Sequence, residues 1–374
     1  METAASKSLE LKNIQWKQLF SLAALYGSII IGWIAYENYQ PKLLVQFKFD
    51  DFSFLLYVVQ GFILLVTPIY AGRLGDKFRF SNGHRLPIIS SGISFAAMVF
   101  MAVAFTLFSE PGEVFKYILP LLIVCWLVAM SIFTSPALST LELFTPVEKL
   151  PKAMAILTIV ANLIYSVEPV IVDIIDYLGA PTTFMAGGVI TFLSGYALRK
   201  NSLGLFKLSG GHESRPMVSF TLDTQRSQYG PIFLMGVVLG LATTILFNIM
   251  PDILEVSIGK LFGGVGGNII LVGILFFSAL ISLPVSVKVT QYGLERSFNM
   301  GALITLISMG AILVFPSTAL VMIIVFAFSF TLISVSSLPL AIQKANYYEK
   351  VFCVGIFFSG VALPDGIIEA YLAY

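Results

Sequence analysis

Three acidic residues, Glu37, Glu168 and Asp365, lie inside long apolar stretches of this sequence. Ionisable side chains are costly within a bilayer, so each is a functional candidate wherever it occurs in such a stretch. A carboxyl group in a poorly solvated cavity can load and release a proton near neutral pH, or help to bind a cation. We interpret the three as candidate coupling groups. The alternative is an acid solvated at the outer membrane interface or hydrogen-bonded to a neighbouring helix.

Polar and aromatic residues accompany these acids on shared helix faces. One stripe, about 60° wide at 100° per residue, consists of Tyr26, Trp33, Glu37 and Gln40. A second face, about 120° wide, consists of Asn162, Tyr165 and Glu168. With Asn248, these side chains suit a neutral polyhydroxylated or weakly cationic solute, through stacking and hydrogen bonds. The alternative is that the aromatic residues serve only in packing.

The composition excludes several classes of protein. Of the 374 residues, 57% are hydrophobic and 11% are charged, whereas a soluble domain has about a quarter charged residues. The net charge of +1 leaves no basic patch for nucleic acid. Cys125 and Cys353 lie in apolar stretches, and the sequence has only two histidines. We therefore expect no metal site, no cofactor and no enzymatic activity.

The hydropathy pattern predicts an all-α polytopic membrane protein, since about 20 apolar residues cross a bilayer as a helix. About eleven spans are expected, at 18–40, 53–71, 86–108, 114–135, 153–177, 181–198, 230–252, 267–287, 299–315, 318–342 and 351–372.

The basic residues predict the orientation of these spans. Every Lys and Arg falls on one predicted side, except Lys42, Lys48, Lys116 and Lys260. Because cytoplasmic loops carry the excess of basic residues, the N-terminus is expected in the cytoplasm and the C-terminus outside. The expected location is the cell (inner) membrane.

Recurring residues predict two related halves. Asn38, Pro41 and Leu44 recur in the same order as Asn248, Pro251 and Leu254. Such repeats are typical of transporters. We expect a six-helix bundle at 1–198, a cytoplasmic linker at 199–228 and a five-helix bundle at 229–374, major-facilitator-like, in which the sixth helix has no counterpart.

The segment that follows the second span carries a motif. The residues that form it are Gly72, Arg73, Asp76, Gly83, Arg85 and Pro87, with Lys77 and His84 where arginines are usual. This pattern resembles the cytoplasmic loop signature of the major facilitator superfamily, and it looks closest to the sugar–cation symporter and sucrose-transporter branch. The second-half copy, around residues 291–296, is degenerate.

The resemblance implies that these charges form a latch on the cytoplasmic side, which breaks when the carrier opens inward. The expected latch residues are Gly72, Arg73, Asp76, Lys77, Gly83 and Arg85. Asp76 can cap the following helix or pair with Arg73, Arg79 or Arg85. The alternative is that the basic residues only mark the cytoplasmic side.

Two hypotheses about function follow. The first is a secondary active transporter that moves a small solute by alternating access, with proton or cation coupling. The second is a transporter-like accessory subunit of a larger membrane complex, with a partner helix at the position of the missing twelfth span. Lipid surrounds the protein in both.

Overall fold

The computed structural model describes residues 13–47, 53–109, 115–208, 213, 226–259 and 263–372. The helices of the first half are α1 (Trp16–Gln46), α2 (Ser53–Ser81), α3 (Leu86–Phe108), α4 (Phe115–Ser139), α5 (Leu141–Phe144), α6 (Leu150–Ser166), α7 (Glu168–Leu178) and α8 (Ala180–Leu208). Those of the second half are α9 (Tyr229–Asn248), α10 (Met250–Ser257), α11 (Gly267–Tyr292), α12 (Leu294–Val314), α13 (Ala319–Gln343) and α14 (Lys350–Leu372).

These helices confirm the predicted all-α membrane fold. Each predicted span coincides with one long helix or with a bent pair of helices. Within the described ranges, eight helices are long and apolar enough to cross a membrane, and nine if the bent pair α6–α7 counts as one span. The remaining long helices, α8 and α12, pack against α3 and α13 respectively. The described residues therefore form about eleven long helices or broken helix pairs, as expected.

Two of the predicted spans are broken next to a proline. The axis bends by 59° between α6 and α7, at Val167, and Pro169 follows in the first turn of α7. The second break separates α9 from α10 at Ile249, just before Pro251. Proline lacks the N–H that would continue the helical hydrogen bonds, so it ends the preceding helix. Helix α1, in contrast, runs unbroken through Pro41.

A repeated local structure agrees with the predicted duplication. Helix α4, with Pro136 inside it, leads through α5 and a 3-10 turn at Val147–Lys149 into α6. Helix α13, with Pro339 inside it, leads through a 3-10 turn at Tyr347–Glu349 into α14. The division into 1–198, 199–228 and 229–374 stays a prediction. Helix α8 continues to Leu208, past the expected linker start, and most of the linker lies outside the described residues.

Helix α14 joins the two halves, since it packs against α2 on one side and α9 on the other. Glycines permit the close approach. A Cβ on Gly366 would stand 3.1 Å from the Cα of Gly61, and a Cβ on Gly360 would stand 3.2 Å from the Cα of Gly236. On the outer surface, large apolar side chains such as Phe105 are exposed, as expected for a surface that faces lipid.

We call one end of the bundle the basic end. Helices α2, α4 and α13 end there, and α3, α6 and α14 begin there. Its basic residues include Arg79, Arg85, Lys149, Lys344 and Lys350.

Candidate functional site

Tyr165 lies between the two halves near the end of α6. Its ring contacts hydrophobic cores on both sides and lies 4.9 Å from the ring of Phe247 on α9. The phenol of Tyr165 interacts electrostatically with the carboxyl groups of Glu37, Glu168 and Asp365, and with the phenol of Tyr26. The structure thus places the three acids singled out from the sequence, which come from α1, α7 and α14, within electrostatic range of one tyrosine. We call Tyr165 and these three acids the carboxyl cluster.

Each acid of the carboxyl cluster has its own setting. Glu168 is the first residue of α7, directly after the break at Val167. Asp365 accepts a hydrogen bond from the Thr244 hydroxyl on α9 at 3.5 Å, and Asn248, the last residue of α9, is exposed. Glu37 is exposed on α1.

Trp33 and Gln40 lie in a different environment, within the first half. The Gln40 amide donates to Oε1 of Gln60 at 3.0 Å, and the same oxygen accepts from the Tyr36 hydroxyl at 2.8 Å. The Tyr36 ring stacks on Trp126 at 4.4 Å, and Trp33 meets Trp126 edge-on at 4.9 Å. These contacts favour packing for both residues, the alternative reading of the aromatic stripe.

Asn162 connects the halves instead of standing beside the acids. Its buried side chain donates to the Ser278 hydroxyl at 2.9 Å, and Ser278 and Thr331 share a 2.5 Å hydrogen bond. The three residues lie on α6, α11 and α13. Because a buried amide needs such partners, this contact stabilises the interface between the halves.

Asp76 caps a helix of the opposite half. Its Oδ1 accepts from the backbone N–H of Val351 at 3.2 Å and its Oδ2 from that of Phe352 at 2.8 Å, at the start of α14. The first N–H groups of a helix have no partner within it and attract a negative charge. Asp76 was expected to cap the helix that follows it in the chain or to pair with an arginine. The expected cap was wrong: the helix that Asp76 caps is α14, because α2 packs on α14 and places the carboxylate at its start.

The expectation that the motif lies in a loop was wrong for its first part, because α2 continues as a helix to Ser81 and includes Gly72, Arg73 and Lys77. The remaining motif residues have different settings. A Cβ on Gly72 would stand 2.7 Å from the Cα of Phe352, so only glycine fits there. Gly83 has a φ of 80°, which a side chain disfavours. The Arg73 guanidinium lies 4.8 Å from the centre of the Phe352 ring. Lys77 is exposed.

Arg85 is completely buried and forms a dense set of charged hydrogen bonds. Its backbone N–H and Nε both donate to Oε1 of Glu213 at 2.9 Å, and one terminal nitrogen donates to Oε2 at 2.7 Å. The guanidinium also donates to Ser139 at 2.7 Å and to Glu142 at 3.0 Å. Burial alone lowers the pKa of Arg85, but the Glu213 carboxylate raises it above its ordinary value. Arg85 therefore stays charged.

The ion pairs continue into the second half. Nε of Arg79 lies 2.9 Å from Oε2 of Glu213, and another of its nitrogens donates to the Tyr347 carbonyl at 2.8 Å. Lys350 lies 3.2 Å from Oε2 of Glu142. We call Asp76, Arg79, Arg85, Glu142, Glu213 and Lys350 the basic-end latch.

Sequence reasoning missed three members of this latch, Glu142, Glu213 and Lys350. Glu213 is an acid within a predominantly basic segment on the predicted cytoplasmic side, and that was the available signal, whereas Glu142 lies in a segment with equal numbers of acidic and basic residues. The backbone of Glu213 also holds this residue in place, because its N–H donates a hydrogen bond to the Gly83 carbonyl at 2.8 Å. Within the described ranges, no group of three or more His, Cys, Asp or Glu side chains could hold a metal ion.

The fold and the site define a multi-pass helical membrane protein whose two halves meet at a carboxyl cluster and at an ion-pair latch. The chain belongs to the Major Facilitator Superfamily, whose family model matches residues 38–364. This confirms the superfamily inferred from the loop motif. Members of this family are transporters.

The fold is similar to those of 96 solved chains. One is the major facilitator superfamily proton:xylose symporter XylE bound to 6-bromo-6-deoxy-D-glucose, with a TM-score of 0.55. The sequences are 14% identical, and the match covers 94% of this chain and 88% of that one. At this identity the likeness shows the fold alone. A search of curated proteins by sequence gives no match.

Proposed function

We propose that this chain is a secondary active transporter that carries a small neutral or weakly cationic solute, such as a sugar, by proton-coupled alternating access. The observation that carries the proposal is the position of Tyr165 against the hydrophobic cores of both halves and 4.9 Å from the Phe247 ring, with Glu37, Glu168 and Asp365 within electrostatic range of its phenol. Carboxyl groups at such a position can exchange protons with either side as the halves move.

The chemistry around Tyr165 favours an uncharged or weakly cationic solute. The groups that act on its phenol include three carboxyl groups and a second phenol. An anionic solute would be repelled there, whereas hydroxyl groups can bind to carboxylate, amide and phenol side chains. XylE, which has the same fold, is a proton:xylose symporter bound to a glucose derivative. That description supports testing sugars first.

The basic-end latch supports alternating access. Asp76, Arg79 and Glu142 bond to α14 or to the turn before it, so the halves cannot separate at this end until these contacts break. Because basic residues concentrate there, we propose that this end is cytoplasmic in the inner membrane, with the N-terminus inside and the C-terminus outside. Labelling of single cysteines introduced at Asn13 and Tyr371 in intact cells tests the orientation. Labelling of both from the same side would contradict it.

Uptake by liposomes tests the proposed function. The purified protein is reconstituted and offered radiolabelled xylose, glucose, sucrose or a small amine, with and without an inward proton gradient. We expect one of them to accumulate only with the gradient. Glu168→Gln should reduce this accumulation at least about tenfold, which corresponds to about 1.4 kcal/mol. Glu148→Gln, which alters an exposed glutamate at the basic end, is the matched control.

Full accumulation by folded Glu168→Gln would remove Glu168 from the coupling mechanism. Accumulation that is indifferent to the gradient in the wild type would contradict proton coupling. The second hypothesis, an accessory subunit, is supported by no observation on the described residues. Absence of uptake together with a stoichiometric membrane partner in gentle purification would favour it.

A further inference from the structure

A cleft of about 340 Å³ opens between α3 and α8 at the basic end, away from the carboxyl cluster. It is lined on one side by Ser90, Ser91 and Ser94 of α3, and on the other by Arg199 of α8, with His84 at its edge. We call it the α3–α8 cleft. Its lining combines these hydrogen-bonding groups and a cation with the apolar side chains of Leu86, Pro87 and Leu203.

The charges around this cleft favour an anion. Arg199 offers a charged fork of donors, and the hydroxyls of Ser90 and Ser94 are further donors, whereas the Ser91 hydroxyl donates to the Ile88 carbonyl. The cleft lies beside the first turns of α3, where the helix dipole adds a partial positive charge. No carboxylate is among the described residues that line it. A phosphate group fits this set of donors.

The surface next to the cleft is apolar and faces lipid. From the serines, α3 continues to Phe95 and Met98, which are 38% and 62% exposed. From Arg199, α8 continues back along the chain to Tyr196 and Phe192, which are 57% and 48% exposed. A ligand that filled the cleft with an anionic group would therefore have hydrocarbon surface directly beside it.

We propose that the α3–α8 cleft binds the headgroup of an anionic phospholipid, whose acyl chains lie along Phe95, Met98, Phe192 and Tyr196. Basic pockets between membrane helices bind such headgroups. The proposal goes beyond transport and does not depend on it. A free phosphate ion would satisfy the same donors but would gain nothing from the apolar flank.

Thermal unfolding of the purified protein in neutral detergent tests this site. Phosphatidylglycerol, phosphatidylcholine and inorganic phosphate are added separately. We expect phosphatidylglycerol alone to raise the melting temperature, by at least about 2 °C. Arg199→Gln should abolish the rise. Lys200→Gln, which removes an adjacent exposed cation that does not line the cleft, should retain it.

A second variant tests the same site independently, in case Arg199→Gln does not fold. Ser94→Asp places a carboxylate in the cleft and should also abolish the rise, because it repels the headgroup. The same rise with phosphatidylcholine would overturn the proposal, as would the same rise in both cleft variants. An equal rise with inorganic phosphate would identify a soluble anion as the ligand and would also overturn it.

Discussion

The carboxylate of Asp76 on α2 accepts a 2.8 Å hydrogen bond from the backbone N–H of Phe352, in the first turn of α14. The two residues belong to opposite halves of the chain and are 276 positions apart. Asp76 also accepts from Val351, so one side chain satisfies two N–H groups that the helix itself leaves without partners. The contact closes the basic end as long as it persists.

Removal of this contact should loosen the basic end. In a Cys125→Ser background, Asp76→Ala should accelerate maleimide labelling of Cys353, which is fully buried next to Phe352. A hydrogen bond to a charged group contributes about 1.5–3 kcal/mol, so labelling should be at least about tenfold faster. The rate is measured by mass spectrometry. Lys77→Gln, an exposed neighbour, should leave it unchanged, and equal rates in both variants would show that Asp76 does not hold the end closed.

Glu213 should be important for stability although it lies in the predicted linker. Glu213→Gln leaves the buried Arg85 charge with Glu142 and Ser139 only. Breaking a buried ion pair costs about 3–5 kcal/mol, so the melting temperature in detergent should fall by several degrees. Glu148→Gln is the exposed control.

A double variant separates the ion pair from simple loss of packing. Arg85→Met with Glu213→Leu removes both charges and should melt at a higher temperature than Glu213→Gln alone. A double variant that is no more stable than Glu213→Gln would argue against an uncompensated charge as the cause.

Gly72 should tolerate no side chain. In Gly72→Ala, the new methyl group would stand 2.6 Å from the Val351 carbonyl oxygen, and overpacking of this kind costs about 1–3 kcal/mol. We expect a lower melting temperature and faster labelling of Cys353. Gly204→Ala on α8 meets nothing within 4 Å and should be neutral or slightly stabilising. Similar behaviour of the two variants would refute close packing at Gly72.

The phenol of Tyr165 should matter for coupled uptake. Tyr165→Phe keeps the ring that packs at a tilt against Phe247 but removes the hydroxyl that lies within electrostatic range of the three acids. Proton-driven accumulation in liposomes should fall about tenfold, while the melting temperature should change little. Tyr177→Phe, at a position that is 90% exposed, should have no effect. Normal accumulation by Tyr165→Phe would exclude a role for its hydroxyl.

The sequence predicted the helices well because the length of an apolar stretch is a local property. It also indicated Glu168 and Pro169, and the helix axis does break there. A helical wheel shows which residues share a face but not which neighbour that face meets. Trp33 was therefore grouped with Glu37, although its ring packs on Trp126.

The basic-end latch shows a second limit. The loop motif identified Asp76 and Arg85, but Glu213 is 128 positions from Arg85 and carries no motif of its own. The fold brings Glu213 to Arg85 and also to Gly83, whose carbonyl accepts from the Glu213 backbone N–H. Contacts of this kind depend on the arrangement of whole helices, which spacing along the chain does not report.

Helix α14 begins at the Asp76 carboxylate and carries Asp365 thirteen residues beyond Phe352, roughly 20 Å farther along its axis. Its close glycine contacts with α2 and α9 leave it little room to bend between these points. It can therefore act as a lever arm. A tilt of α14 that changes the surroundings of Asp365 also moves the start of the helix relative to Asp76. Proton loading at Asp365 and opening of the basic end would then be coupled through the same helix movement.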